Sequence, residues 1–307
     1  MKKVLVITHS EDKTVDYLIN KFQDRLKWYR FNANELDKYE INVANQAILI
    51  KCSEFEIEAE DVDSLLYRKI VYPDLSDYSS LYVSLLRRDI LSYVEGLAEY
   101  IGQVCLTRPS ILRRSENKIF QLQAAFIEGF SIPDTLITNS SESALEFISK
   151  RSSIIKPLST GVIRNSTING IIQTNMVDNS RPIRDISLEP SYFQEYTQKD
   201  GGEYRVTFIN KEHFAVKIES DNHVDWRKKG SINRYKVVEL PNSIIQKCFK
   251  LMERLGLSFG AFDFIYTGSE FYFLEVNPNG QWLWLEMELG LSISEGIVSF
   301  LENGGER

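Results

Sequence analysis

Short apolar strands alternate with helical patterns over the first hundred residues. The pattern predicts strands at Lys3–Thr8, Trp28–Asn32, Gln46–Cys52 and Ser64–Arg68, and helices at Thr14–Arg25 and Ser79–Ile101. Such alternation predicts a small α/β domain with a mostly parallel sheet. Thr107-Arg108-Pro109-Ser110 reads as a break. Beyond it the pattern predicts a helix over Ser115–Gly129 carrying Lys118, a strand Thr135–Thr138, a helix Ser141–Lys150 and a strand Ser153–Pro157. The C-terminal half changes to an α+β, mainly antiparallel pattern. It has strands at Tyr192–Tyr196, Tyr204–Ile209 and His213–Glu219, a helix Ser243–Leu255, a hairpin within Phe259–Trp282 and a closing helix Ser292–Leu301. Lys199-Asp200-Gly201-Gly202 reads as a mobile turn.

The hairpin, FGAFDFIYTGSEFYFLEVNPNGQW, is the most informative stretch. Residues two apart on a strand share a face, so Glu275 and Asn277 point together. Pairing Thr267 with Phe271 across the three-residue loop Gly268-Ser269-Glu270 sets Asp263 opposite Glu275, whereas a two-residue loop would turn the acids to opposite faces. Two carboxylates and an amide oxygen suit magnesium held together with nucleotide phosphates. The plain alternative is an amphipathic hairpin with its acids on the wet side. Against it, Asp263 lies between Phe262 and Phe264, Glu275 between Leu274 and Val276, and Asn-Pro-Asn-Gly follows as a turn.

Composition narrows the class. With 307 residues, 43% apolar and 26% charged, the chain has material for two or three sub-domains. No run approaches the roughly 18 apolar residues of a membrane span, and Val4–Ile7 is too short for a signal peptide, so a cytoplasmic protein is expected. Cys52, Cys105 and Cys248 form no metal or disulfide pattern and read as free thiols. A net charge of -7 predicts neither a nucleic-acid nor a membrane partner. His9, His213 and His223 do not cluster, which argues against a histidine–metal site or a Ser-His-Asp triad.

Taken in order, Lys118 after Arg113-Arg114-Ser115-Glu116-Asn117, Lys156 in IIKPLSTG, FQEY at Phe193–Tyr196, Arg205 in GEYRV, and Asp263, Glu275 and Asn277 resemble the ATP-grasp superfamily along essentially the whole chain. NKIFQLQAAFIEGFSIPDTLITN and Asp225-Trp226-Arg227 are similar to the graspetide synthetases, the microviridin-type peptide maturases, closest to the ester-forming thuringinin and plesiocin branch. The resemblance implies an N-terminal pre-grasp domain (1–108), a central domain (109–188) and a C-terminal grasp domain (189–307), with ATP between the last two. It implies a homodimer and a ribosomal precursor peptide with leader and core. By the same resemblance, Asp or Glu side chains of the core are phosphorylated by ATP to acyl phosphates, from which Thr or Ser hydroxyls displace phosphate to form ω-esters, or Lys amines to form amides.

Roles follow from the same resemblance. Asp263, Glu275 and Asn277 hold two Mg2+. Lys118 and Lys156 neutralise phosphates. Arg205, Arg227 and Lys156 are the catalytic candidates, Arg205 or Arg227 facing the γ-phosphate or the substrate carboxylate. Gln194 and the backbone of Glu195 and Tyr196 meet adenine, and Glu203 or Asp200 meets ribose. Ser159-Thr160-Gly161 folds over the phosphates with one glycine where a rich run is usual. Asp225 and Arg227 either form a loop ion pair or hold an acidic side chain of the core peptide. Trp282–Leu291 is either helix packing or part of the leader groove. A glutamate ligase acting on a protein terminus, and a non-catalytic peptide- or nucleotide-binding pseudo-enzyme, are the alternative readings.

Overall fold

Four consecutive apolar residues, Val4 to Ile7, are fully buried, and a strand of that kind needs cover on both faces. It lies inside a parallel sheet of order β2-β1-β6-β7, built from β1 (Lys2–Thr8), β2 (Leu26–Asn32), β6 (Ser64–Tyr67) and β7 (Val104–Cys105). α2 (Ser80–Tyr100) covers one face with Val94, Leu97 and Ala98. α1 (Lys13–Lys21) and the C-terminal helix α8 (Ile293–Asn303) cover the other, so Ile297, Val298 and Leu301 complete a core begun by Val4, Val6 and Leu66. The first and last hundred residues therefore share one hydrophobic core. The computed structural model describes residues 1–45, 47–159, 161–164, 169–178, 183 and 185–304.

A separate meander, β3 (Glu40–Ala44), β4 (Ala47–Lys51) and β5 (Glu56–Glu58), flanks this sheet. β3 and β5 escaped the sequence reading because few of their residues are buried. Gln46, the expected start of β4, lies outside the described residues. The expected helix from Ser115 to Gly129 is two helices, α3 (Pro109–Ser115) and α4 (Lys118–Ile127). Pro109 starts the first, and the Asn117 side chain accepts from the Phe120 N–H at 3.0 Å to cap the second.

The middle of the chain forms an antiparallel sheet of order β12-β9-β13-β8, from β8 (Thr135–Thr138), β9 (Ser153–Lys156), β12 (Asn175–Met176) and β13 (Ser191–Glu195), backed by α5 (Ser141–Ser149). β10 (Val162–Arg164) and β11 (Asn169–Ile171) pair antiparallel as a two-stranded sheet of their own. The last sheet, of order β16-β15-β14-β17-β18, comprises β14 (Glu203–Ile209), β15 (Glu212–Ser220), β16 (Asn233–Val237), β17 (Phe259–Tyr266) and β18 (Phe271–Asn277). Phe208, Phe262, Phe264, Phe273 and Val276 pack one face against α6 (Asn242–Leu255) and α4. α8 covers one end of the other face through Ile209 and Phe259, leaving the opposite end open. α7 (Leu283–Leu289) follows the sheet. Among the described residues no helix is long and apolar enough to cross a membrane, and Cys52, Cys105 and Cys248 are free.

Candidate active site

Strand alternation builds the open face. Phe262 and Phe264 point into the core, so Asp263 between them points out. Cross-strand register then aligns Arg205, Asp263 and Glu275 in one row over β14, β17 and β18. The acids are opposite each other as expected, but by a different device. Tyr266 pairs with Phe271 across a four-residue loop, and that even count alone would turn Glu275 into the core. A bulge corrects it: Phe264 pairs with Phe273 while Asp263 pairs with Glu275, leaving Leu274 as the extra residue. Leu274 and Glu275 thus both line the cleft, and Val276 returns to the core. The expected pairing of Thr267 with Phe271 is replaced by this bulge.

Charges on the row are tightly matched. Asp263 is 6% exposed and accepts from Arg205 Nη1 at 2.8 and 2.9 Å, from Arg227 Nη2 at 3.1 Å and from Asn277 Nδ2 at 3.1 Å. Asn277 also donates to Glu275 at 3.0 Å, and Lys118 Nζ reaches the other Glu275 oxygen at 2.5 Å. Burial opposes ionisation of Glu275, yet Lys118 and Arg227 beside it hold its carboxyl well below the usual range. Burial likewise disfavours the Arg227 cation, and Asp263 and Glu275 overcome that and raise it. Arg227 also donates its backbone N–H to Asp225 at 3.0 Å and lies over the Trp226 ring. Trp226 packs on Trp284 of α7, which couples that helix to Arg227.

Two residues that sequence reasoning did not find hold this row. Gln121 on α4, 1% exposed, donates to the Val276 carbonyl at 2.7 Å and accepts from its N–H at 3.2 Å. It thereby closes the outer edge of β18 between Glu275 and Asn277, and its only signal is a glutamine on the apolar side of a helix. Gly280 is the second. A Cβ there would lie 2.6 Å from Arg205 Nη2, so the Asn-Pro-Asn-Gly turn ends in glycine to admit the arginine.

A cleft runs from this row to β13, lined by Lys156, Gln194, Glu195 and Tyr196 with Pro133, Ile154, Ile265 and Leu274 as apolar walls. Burial pushes the Lys156 amine down to about 8, with Glu275 opposing and Lys118 reinforcing the shift. Gln194 is fully buried. It donates to Thr135 at 3.0 Å, and its Oε1 has no partner among the described residues. The N–H groups of Glu195 and Tyr196 donate to the carbonyls of Asp134 and Ser152, both at 2.8 Å. Glu203 pairs with Lys199; burial raises its carboxyl and Lys199 opposes. The turn expected to be mobile is hydrogen-bonded, with Gly201 N–H on the Tyr266 carbonyl at 2.8 Å. Ser159 and Gly161 border a neighbouring cavity with Lys118 and Lys156, while Thr160 lies outside the described residues.

On the other side of the row opens a chamber of about 1380 Å3 between the N-terminal sheet and the last sheet, bordered by Arg68, Arg205, Arg227, Glu275, Asn277 and Trp284. Asp263, Glu275 and Asn277 suit a hard cation whose remaining ligands come from phosphates. Among the described residues no group of three His, Cys, Asp or Glu side chains forms a self-sufficient metal cage. The orientation of the Asn277 amide follows its partners, and turning it over presents its oxygen to the space between the acids.

No family model and no curated protein matches the sequence. Solved structures do. A RiPP-associated ATP-grasp ligase from Chryseobacterium gregarium, in complex with ADP and a leader and core peptide, is 26% identical, with a TM-score of 0.89 over 100% of this chain and 98% of that one. The macrocyclase MdnB from Microcystis aeruginosa is 28% identical, with a TM-score of 0.80 over 98% and 99%. MdnC from the same organism, bound with precursor peptide MdnA, is 24% identical, with a TM-score of 0.86 over 98% and 99%.

Proposed function

We propose that this chain, an ATP-grasp ligase of the graspetide macrocyclase group, phosphorylates Asp or Glu side chains of a ribosomal precursor peptide and closes each acyl phosphate onto a Thr or Ser hydroxyl as an ω-ester. The observation that carries the reading is the Arg205–Asp263–Glu275 row with Asn277, set between the cleft that reaches β13 and the chamber bordered by Arg227. Adenine is assigned to the cleft, the phosphates to the adjoining cavity of Lys118 and Lys156, and peptide to the chamber, so ATP and peptide meet over the acids.

Each residue has a physical task. Ile154, Ile265 and Leu274 sandwich adenine, and Gln194 Oε1 is free to accept from its amino group. Because the Glu195 and Tyr196 N–H groups are occupied, the hinge contributes carbonyl oxygens rather than those donors. Lys156 and Lys118 neutralise phosphates, Lys118 by moving off Glu275. Asp263, Glu275 and Asn277 would hold Mg2+, which supplies charge neutralisation on the transferring phosphoryl group. Arg205 fixes Asp263, and Arg227 presents its fork to the substrate carboxylate with Asp225 orienting it. A carboxylate oxygen attacks the γ-phosphorus as ADP leaves; the hydroxyl then attacks the acyl carbon as phosphate leaves. Glu203, held by Lys199, borders the cleft as the ribose candidate, and Asp200 lies on the same turn. For this chemistry the chain is read as pre-grasp (1–108), central (109–188) and grasp (189–307) parts, working as a homodimer that light scattering would read directly.

Hydroxylamine trapping tests the central step. With ATP, Mg2+ and an acidic, Thr-rich leader–core peptide, the enzyme should release ADP and yield a hydroxamate at an Asp or Glu. Release of AMP, or ADP without a trapped carboxyl, would overturn the reading.

A further inference from the structure

Building on the macrocyclase reading, we propose that Arg68 is an anion subsite on the N-terminal wall of the chamber, binding a carboxylate of the acidic peptide. Arg68 directly follows β6, at the carboxyl end of a parallel sheet, where α/β sheets present ligand-binding groups. Its side chain is 5% exposed. Among the described residues only its Nε is hydrogen-bonded, to Asp12 Oδ2 at 3.0 Å, and Nη2 is buried without a partner. A guanidinium carries five donors in a planar fork, so most of the capacity of this one is unspent inside the protein. A buried donor left unsatisfied is costly; Nη2 has no surface open to the chamber, so a peptide carboxylate would take the donors of Nη1.

Asp12 is fully engaged elsewhere. Its Oδ1 caps α1 at Thr14 and Val15, and its Oδ2 accepts from Thr8. It therefore anchors one edge of the guanidinium and leaves the fork for another acceptor. Lys69 adds a second cation to the same wall. Across the chamber stand Arg205, Arg227 and Glu275, whereas Lys118, Lys156 and the β13 residues do not border it. An anion reaching Arg68 thus comes from the peptide side rather than from the inner phosphates. Arg68 and Trp282, whose Nε1 also has no partner among the described residues, share a separate void of about 10 Å3, room for one water. That water would satisfy Nη2 alone.

The test compares Arg68→Lys, which keeps the charge but not the fork, with the double variant Asp12→Asn/Arg68→Gln, which leaves no unpaired buried charge and keeps the α1 cap. In both, the KM for a leader–core peptide should rise about tenfold or more, as expected for a lost charged hydrogen bond, with the KM for ATP and the melting temperature unchanged. Calorimetry without ATP gives a readout independent of turnover. Wild type should bind the acidic peptide more tightly than a counterpart with its core Asp and Glu replaced by Asn and Gln, and Arg68→Lys should narrow the difference, leaving the part owed to Arg227. An unchanged peptide KM and an unchanged binding difference would make Arg68 a water-satisfied structural residue and overturn the proposal. A raised KM for ATP instead would make the anion a phosphate and overturn the assignment to peptide. Failure of the macrocyclase reading shows separately, as wild-type enzyme that binds peptide without forming rings.

Discussion

Gly280→Ala is a small change whose consequences can be worked from distances. The added Cβ would lie 2.6 Å from Arg205 Nη2, 2.7 Å from Ala261 Cβ and 3.2 Å from the Asn277 carbonyl oxygen. Ordinary carbon contacts begin near 3.5 Å, so Arg205 or the turn must move by about 1 Å. The φ of Gly280 lies outside the left-handed region, so alanine suffers from crowding and not from its backbone. Crowding of this degree in a packed site costs about 1–3 kcal/mol. Arg205 cannot move without disturbing its bonds of 2.8 and 2.9 Å to Asp263, and an error of ~1 Å in a reacting constellation costs on the order of 100-fold in rate. Peptide-dependent ADP release should therefore fall about that much, with a lowered melting temperature. Gly268→Ala is the control: its φ is +92° in open space, so it should cost about 1 kcal/mol of stability at the hairpin tip and leave turnover intact. Wild-type turnover and melting in Gly280→Ala would refute the packing argument.

Other perturbations separate folding from chemistry. Asp263→Asn strands the buried Arg205 cation and should lose about 3 kcal/mol or more in urea unfolding of the free protein, whereas Glu275→Gln should stay folded and lose ADP release. Gln121→Met leaves the Val276 N–H and carbonyl unpaired and should cost about 2 kcal/mol, with a weaker response of ATP binding to Mg2+. Lys156 sets a pH dependence. Its amine is pushed down to about 8 from 10.5, so ATP affinity should be full below that value and weaken above it, and binding near it should take up a proton, seen as a buffer-dependent heat. Stability of the free protein should rise with pH between those two values, because there the unfolded chain holds the proton that the folded one has lost; Lys156→Met should abolish both effects.

Local pattern carried much of the site and long-range geometry the rest. Strand alternation was enough to put Asp263 and Glu275 on one face, because each acid stands between apolar neighbours. It was not enough to choose between an odd loop and a bulge, since both restore the same parity, and the bulge at Leu274 is what the chain uses. Lys118 was legible as a candidate, but its partner in the free protein is Glu275 on a strand 157 positions away. Gln121, Gly280 and Arg68 each act through contacts that no local pattern encodes. β16 was overlooked because Asn233–Val237 is largely solvated, and the strand is held by backbone pairing to β15.

Ring formation is read by mass spectrometry of a leader–core peptide after incubation with enzyme, ATP and Mg2+. The peptide should lose one water per ring, stepwise, and mild base should reverse each loss because the links are esters. Base-resistant losses would replace esters by amides. A peptide of unchanged mass, or one that gains an amino-acid residue, would mean that the enzyme is not a macrocyclase.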